Sequence, residues 1–388
     1  MKLYAAKPTR KPRFLDFTNF DFVLLFCVVF MAICGIIVLG SAVRIDLGSP
    51  DSLSIYNKQK FWVLSGLVLL FAAAFVDYHF IGKFYIIIYI LNILCLVSLF
   101  LGFSNGSRGV ERWIQIANGV TIQPSEFAKI FMIISLSVFL DKQGEDINKP
   151  KRFILLLVLI MLPVGLIFAQ PSLSAAMVVF AASAAVAFAS KVSYRNILIL
   201  AACIAPLLVL LYVDFQTDDR VILSKVLEPY QITRIDLMLD PSLDPDLARQ
   251  TTTSKYAIGS GMLYGKGINN STVGTSKSET DFIYTILGEE FGFVGCVFVF
   301  ALMFFISAKS LLTAARASDN CGRLIATGVA AMFFFQSFFH VGVTIGMLPN
   351  TGVAFPFFSY GGSSMWTCML GAGLVINVGR SKKKSIFE

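Results

Sequence analysis

The chain has 388 residues, of which 56% are hydrophobic and 14% charged, and Phe alone occurs 37 times. Soluble domains carry about 25% charged residues, so this composition excludes an ordinary soluble domain and reads as a polytopic membrane protein. The net charge of +8 does not call for nucleic acid as a partner, because membrane proteins gather Lys and Arg in their cytoplasmic loops.

A spanning helix needs about 20 mainly apolar residues. Ten stretches meet or approach this, at roughly 20–42, 60–77, 84–103, 124–140, 153–169, 172–190, 197–213, 281–307, 324–347 and 363–379. The first is long enough to span and reads as a retained helix, not a cleavable signal peptide. The sixth, "SAAMVVFAASAAVAFAS", is rich in small residues that let helix backbones approach closely, so it is expected inside the bundle. The expected fold is an all-α polytopic membrane protein of about ten transmembrane helices, a single domain over residues 1–388.

Orientation follows from Lys and Arg. Lys2, Lys7, Arg10, Lys11 and Arg13 precede the first span. Lys83, then Lys142, Lys149, Lys151 and Arg152, then Lys191 and Arg195, then Lys309, Arg316 and Arg323 fall in later loops of the same side. Arg380 and Lys382 to Lys384 close the chain. Together these are more than half of the 32 basic residues. Both termini are therefore expected in the cytoplasm, and membrane lipid is a secondary partner for the polybasic ends.

Three segments stand out on the opposite face: Ser104 to Gln123, a large extracytoplasmic loop from about Phe215 to Thr280, and Pro349 to Gly362. The loop far exceeds ordinary connections, which points to function or disorder. Its "YQITRIDLMLD" has helical apolar spacing, and its "YAIGSGMLYGKG" mixes Gly with large apolar residues, so it reads as short helices at the outer membrane surface. Six of the seven Cys lie in apolar runs and Cys321 in a polar loop. There is no CxxC, so they read as small buried hydrophobes.

Ionisable groups within membranes are costly and mark function by default. "IQPSEFAKI" opens the fourth span, with Glu126 and Lys129 three apart on one face. They are either a neutralised structural pair or a site where Lys129 helps hold an anionic group. Before it, "SRGVERWIQIANG" sets Arg108 and Arg112 beside Trp113, as an interfacial anchor or a phosphate site suited to bidentate Arg. "QPSLSAA" repeats the Gln-Pro-Ser start at the sixth span. "LPNTGVAFPFFSYGGSS" rules out a continuous helix, and irregular backbone at membrane depth must be buried in protein or line a wet cavity.

"TSKSETDFIYTILGEEFGFVG" runs from a polar loop into the eighth span. Asp281 sits on the boundary, where a helix dipole favours an anion. It is either a helix-start acid or a catalytic one. Glu289 and Glu290 read as groups that satisfy neighbouring helices, and His340 as a satisfied core histidine.

These blocks together resemble the RodA/FtsW/SpoVE family, the SEDS glycosyltransferases. "RWIQIANGVTIQPSEFAKI" is similar to the family's RWI…QPSE-x-x-K block, and "AQPSLSAA" to its QPDLGTA. "YAIGSGMLYGKG" resembles its AIGSGG-x-x-GKG, "TDFIYTILGEEFGFVG" its HTDFIF…EE-x-G, and "FPFFSYGGSS" its LPF-x-SYGGSS. The five blocks occur in the family's order and cover nearly the whole chain. Lys277 and Glu279 replace the family's acid and His, and Ser172 and Ser174 replace its Asp and Gly. The last loop lacks the TKG of division members, which favours an elongation role.

The resemblance implies a peptidoglycan glycosyltransferase that polymerises lipid II, releasing undecaprenyl pyrophosphate from an undecaprenyl-linked glycan, beside a class B penicillin-binding protein. It makes Asp281 the catalytic residue, as a base or as the ligand of a divalent cation, Mg or Mn. Arg108, Arg112, Lys129, Glu126, Arg234, Lys266 and Ser359 form its expected substrate-binding set. The rival readings are a lipid II flippase, which would place its key charges at mid-membrane, and a non-catalytic scaffold for the penicillin-binding partner.

Overall fold

A computed structural model of the protein describes residues 17, 19–45, 52–101, 112–117, 120–170, 172–215, 217, 223–272, 279–350 and 352–381. Helices stand at all ten positions read from the sequence. In chain order the elements are α1 (Phe22–Ile45), α2 (Ser52–Phe75), the short α3 (Tyr78–Gly82), α4 (Tyr85–Ser98), strands β1 (Ile114–Ala117) and β2 (Val120–Ile122), and α5 (Pro124–Gln143). There follow α6 (Pro150–Ala169), α7 (Leu173–Ala189) and α8 (Tyr194–Phe215), then three helices of the long connection: α9 (Leu223–Val226), α10 (Pro229–Leu239) and α11 (Pro245–Ser260). The chain closes with α12 (Ile283–Ala315), α13 (Asn320–Thr344) and α14 (Gly362–Arg380). Among the described residues α1, α2, α6, α12 and α13 are each long and apolar enough to cross a membrane, and Tyr85–Leu101 and Leu173–Ala189 are shorter apolar helices.

The hairpin β1–β2 was not expected from the sequence. It is antiparallel, with Ile114 opposite Ile122 and Gln115 opposite Thr121, and it leads directly into α5. The second helix starts at Ser52, well before the expected residue 60, because polar "SIYNKQK" continues the helix beyond its apolar part. Cys321 is also corrected: it is buried in the first turn of α13 and not in a loop.

α13 is the hub of the bundle, packed on α5, α7, α12 and α14. Small residues set this. A methyl group on Gly328 would lie 2.6 Å from Val186 of α7 and 2.9 Å from Ile133 of α5. α7 is buried along Ser174, Ala175, Val179, Ala182 and Ser183, which is the interior place its composition implied. α5 is buried although it carries polar residues, and several of these are bonded inside: Ser135 donates to the Tyr85 carbonyl at 3.1 Å, and Lys129 pairs with Glu126.

α12 is not one continuous helix. Gly292 has φ +65° and ψ −163°, a backbone state reserved for glycine. The break frees two N–H groups and two carbonyls, and the loop after α11 takes all four. Phe293 and Val294 donate to the carbonyls of Met262 and Leu263 at 2.8 and 3.1 Å. The Glu289 and Glu290 carbonyls accept from Lys266 and Gly267 at 2.9 and 3.0 Å. The "GSGMLYGKG" segment is therefore a plug for an interrupted helix, and its glycines permit the close approach. Gly265, at φ +80°, sits so near the Glu290 carbonyl that a side chain would collide with it. Without water, every such backbone group must be satisfied within the protein.

Candidate active site

Asp281 lies in the turn just before α12, with buried Phe282 at the helix cap. The segment before it is laced to the loop ahead of α14. Tyr360 donates its backbone N–H to the Glu279 carbonyl at 2.9 Å. The Ser359 hydroxyl donates to the Thr280 carbonyl at 2.7 Å and accepts from the Phe355 N–H at 2.8 Å. Ser359 thus positions the Asp281 segment through backbone. Burial lifts the Tyr360 phenol above its ordinary pKa, and nearby Glu279 adds to this.

The loop from α13 to α14 passes directly over the carboxylate. A methyl group on Gly352 would lie 3.0 Å from Asp281 Oδ2, and the residue has φ +71°. Two side chains one turn apart on α13 hold this loop. Gln336 donates to the Ala354 carbonyl at 2.9 Å, and His340 Nδ1 meets the Val353 carbonyl at 2.6 Å. Both residues are fully buried. His340 is thus a core histidine with one nitrogen satisfied; among the described residues its Nε2 has no partner.

Gln336 also receives Lys129. The Lys129 ammonium donates to both Glu126 oxygens at 2.8 Å and to Gln336 Oε1 at 2.9 Å, so its three N–H groups have three acceptors. Lys129 is 2% exposed and Glu126 8%. The pair joins the candidate site through Gln336 and the 353–354 backbone.

The other expected residues are spread around this centre. Arg234 of α10 donates to the Asn350 carbonyl, two residues from Gly352. Lys266 pairs with Glu289 Oε1 at 2.5 Å, and that carboxylate also accepts from the Thr272 N–H at 3.1 Å and from the Ser271 hydroxyl. Glu290 accepts from Ser41 of α1 and from the Asn269 N–H. Both acids therefore hold the plug loop and α1, in keeping with a satisfying role for neighbouring elements. Arg112 Nε donates to the Gln170 carbonyl at the end of α6, 3.1 Å away. Arg108 and Lys277 lie outside the described residues.

Gln336 and Gly352 were not singled out from sequence. The signal was present for Gln336: it is a lone amide in "FFFQSFFH", four residues before His340 and so on the same helix face.

Fold and site together define a class: a helical membrane protein with a carboxylate held at the start of an interrupted helix beneath a looped backbone. The chain belongs to the FtsW/RodA/SpoVE family, whose model, described as a cell cycle protein, matches residues 21–384. It is 29% identical over 382 residues to the probable peptidoglycan glycosyltransferase FtsW of Trichlorobacter lovleyi, covering 96% of each chain. It is 30% identical over 380 residues to the peptidoglycan glycosyltransferase MrdB of Escherichia coli, covering 96% of this chain and 97% of that one. Its fold matches a chain from a structure described as the structural coordination of polymerization and crosslinking by a peptidoglycan synthase complex, with TM-score 0.78, 27% identity, and coverage of 94% of this chain and 99% of that one. It also matches the crystal structure of the Thermus thermophilus rod shape determining protein RodA, with TM-score 0.67, 25% identity, and coverage of 94% and 98%.

Proposed function

We propose that this chain is a peptidoglycan glycosyltransferase that polymerises lipid II at the outer face of the bacterial cytoplasmic membrane. The observation that carries the reading is Asp281 beneath Gly352, a carboxylate built into the boundary between the long connection and α12. In this reading the helices at the ten positions read from the sequence all span, both termini are cytoplasmic, and the 215–280 connection lies outside. The distribution of Lys and Arg supports that orientation.

The reaction joins the C4 hydroxyl of an acceptor sugar to the anomeric carbon of the donor glycan. The new C–O bond forms as the bond from the anomeric carbon to the pyrophosphate oxygen breaks, and that electron pair leaves with undecaprenyl pyrophosphate. A hydroxyl is a weak nucleophile at neutral pH, and a carboxylate within hydrogen-bond reach takes its proton as the bond forms. Asp281 fills this role, and the N-terminal end of α12 favours its ionised form.

The leaving pyrophosphate needs positive charge. Arg108 and Arg112 suit it through the planar fork of the guanidinium. Lys129 and Lys266, each bound to a buried carboxylate, serve as structural cations here. A divalent cation, Mg or Mn, is tested by the donor set: among the described residues no three His, Cys, Asp or Glu side chains converge. Mg commonly takes one or two carboxylates with substrate phosphates, and Asp281 fits as such a single ligand; the ion would offset pyrophosphate charge.

Kinship with a chain of a peptidoglycan synthase complex supports a class B penicillin-binding protein as the partner. The test is direct. The purified protein with that partner is given labelled lipid II and scored for glycan chains. Persistent failure to form chains would remove the proposal.

A further inference from the structure

Beside the Asp281 loop lies a cavity of about 410 Å³ between α10, α11 and residues 346–350. This is within the ~300–1,000 Å³ of small-ligand sites. Its polar wall includes Arg234, Asp246, Gln250, Thr251, Lys255 and Asn350. Its apolar wall includes Leu237, Met238 and Leu348. Lys255 is exposed and, among the described residues, forms no ion pair.

The cavity is anchored to the elements that carry Asp281. Ser254, next to Lys255, meets the Thr285 hydroxyl in the first turn of α12 at 2.5 Å and donates to the Thr344 carbonyl at the end of α13 at 2.8 Å. Asn350 bridges the wall: its amide donates to Gln250 of α11 at 3.1 Å, and its carbonyl accepts from Arg234 of α10. Two residues further on, Gly352 stands so near the Asp281 carboxylate that a methyl group on it would lie 3.0 Å from Oδ2. A group bound in the cavity would therefore be attached close to the reacting sugar.

We infer that this cavity holds the peptide stem carried by the lipid-linked sugar, with Lys255 meeting a stem carboxylate. The inference rests on the glycosyltransferase reading. The mixed lining favours a peptide over the pyrophosphate. A stem peptide offers a carboxylate to Lys255, amides to Gln250, Thr251 and Asn350, and small apolar side chains to Leu237 and Met238, whereas a pyrophosphate would leave the amide and apolar parts of this wall unmatched. The site lies against α10 and α11, the helices of the long connection.

Two measurements test it. In the first, binding of soluble N-acetylmuramyl pentapeptide to the detergent-purified full chain is followed by ligand-observed NMR. Wild type should bind, Lys255→Glu should weaken binding at least tenfold, and Lys255→Gln should fall between. In the second, polymerisation is compared for lipid II and for the same lipid disaccharide without its stem. Lys255→Glu should raise KM about tenfold more for the stemmed substrate. Equal KM shifts for both lipids would assign the cavity to sugar or pyrophosphate and overturn the inference, as would peptide binding indifferent to Lys255. Peptide binding through Lys255 in a chain that makes no glycan would keep the peptide site and remove the glycosyltransferase reading instead.

Discussion

Gln336 stands between Lys129 and the loop over Asp281: its Oε1 accepts from the Lys129 ammonium at 2.9 Å, and its amide holds the Ala354 carbonyl at 2.9 Å. The conspicuous Glu126–Lys129 pair therefore has a direct structural consequence at the candidate site. It fixes an amide that fixes the backbone next to Gly352. Buried pairs of this kind contribute little net stability, but breaking one leaves an uncompensated charge.

The first prediction follows from that asymmetry. Lys129→Met strands the Glu126 carboxylate, a loss of about 3–5 kcal/mol. Thermal melts of the detergent-purified protein should show a clear drop, and polymerisation should fall with it. Adding Glu126→Gln should recover most of the melting temperature. A Lys129→Met protein that melts like wild type would contradict the structural role.

Gly352→Ala should separate activity from stability. An alanine at φ +71° is strained by about 1–2 kcal/mol, a modest loss in a melt. Its methyl group would meet Asp281 Oδ2 at 3.0 Å and push the carboxylate aside. Misplacing a catalytic group by about 1 Å can reduce turnover about 10²-fold. Turnover on lipid II near the wild-type rate would show that the carboxylate does not need this roof.

Much of this architecture was legible because the chain is a membrane protein. A bilayer imposes one length and one composition on its spans, so the ten helices could be placed from apolar runs alone. Asp281 was legible as an acid at a boundary. What escaped depends on contacts between distant segments. The break at Gly292 is invisible in the apolar run "FGFVGCVFVF", because only the docking of residues 262–267 makes it tolerable. The hairpin over 114–122 has a sequence cue in Asn118-Gly119, but the runs that flank it are too short to announce strands on their own. The role of Gln336 needed α5, α13 and the last loop in one place.

Gly292→Ala tests the plugged helix. Its side chain would be strained at φ +65° and would collide with the backbone of Leu263 and Gly265. The plug should be displaced, releasing the Lys266 backbone from its hydrogen bond to the Glu289 carbonyl. Trypsin should then cleave after Lys266 faster than in wild type, with a lowered melting temperature. Unchanged proteolysis would mean that the loop is not held by the break.

The proposed orientation is tested by cysteine labelling in intact cells, in a background that keeps the native cysteines. Ser271 is a poor position, since its hydroxyl serves Glu289, and buried Cys321 cannot report a side. Exposed Ser242, between α10 and α11, and exposed Lys151, at the start of α6, are better. Ser242→Cys should react with an impermeant maleimide and Lys151→Cys should not. The reverse pattern would invert the topology and put Asp281 on the wrong side for lipid II.

The last prediction concerns the chemistry itself. Asn at position 281 keeps the size of Asp and much of its hydrogen bonding, so the segment laced by Ser359 and Tyr360 should stay in place. It cannot take a proton from the acceptor hydroxyl. Polymerisation by Asp281→Asn should fall about 10²–10⁴-fold, the range for a lost general base, with partner binding and melting temperature preserved. Glu279 is the control. Its backbone carbonyl holds Tyr360, so its structural contribution survives a side-chain change, and Glu279→Gln should stay close to wild type. An Asp281→Asn enzyme that still makes chains at the wild-type rate would refute the assignment. A Glu279→Gln enzyme that alone is inactive would move the base two residues upstream.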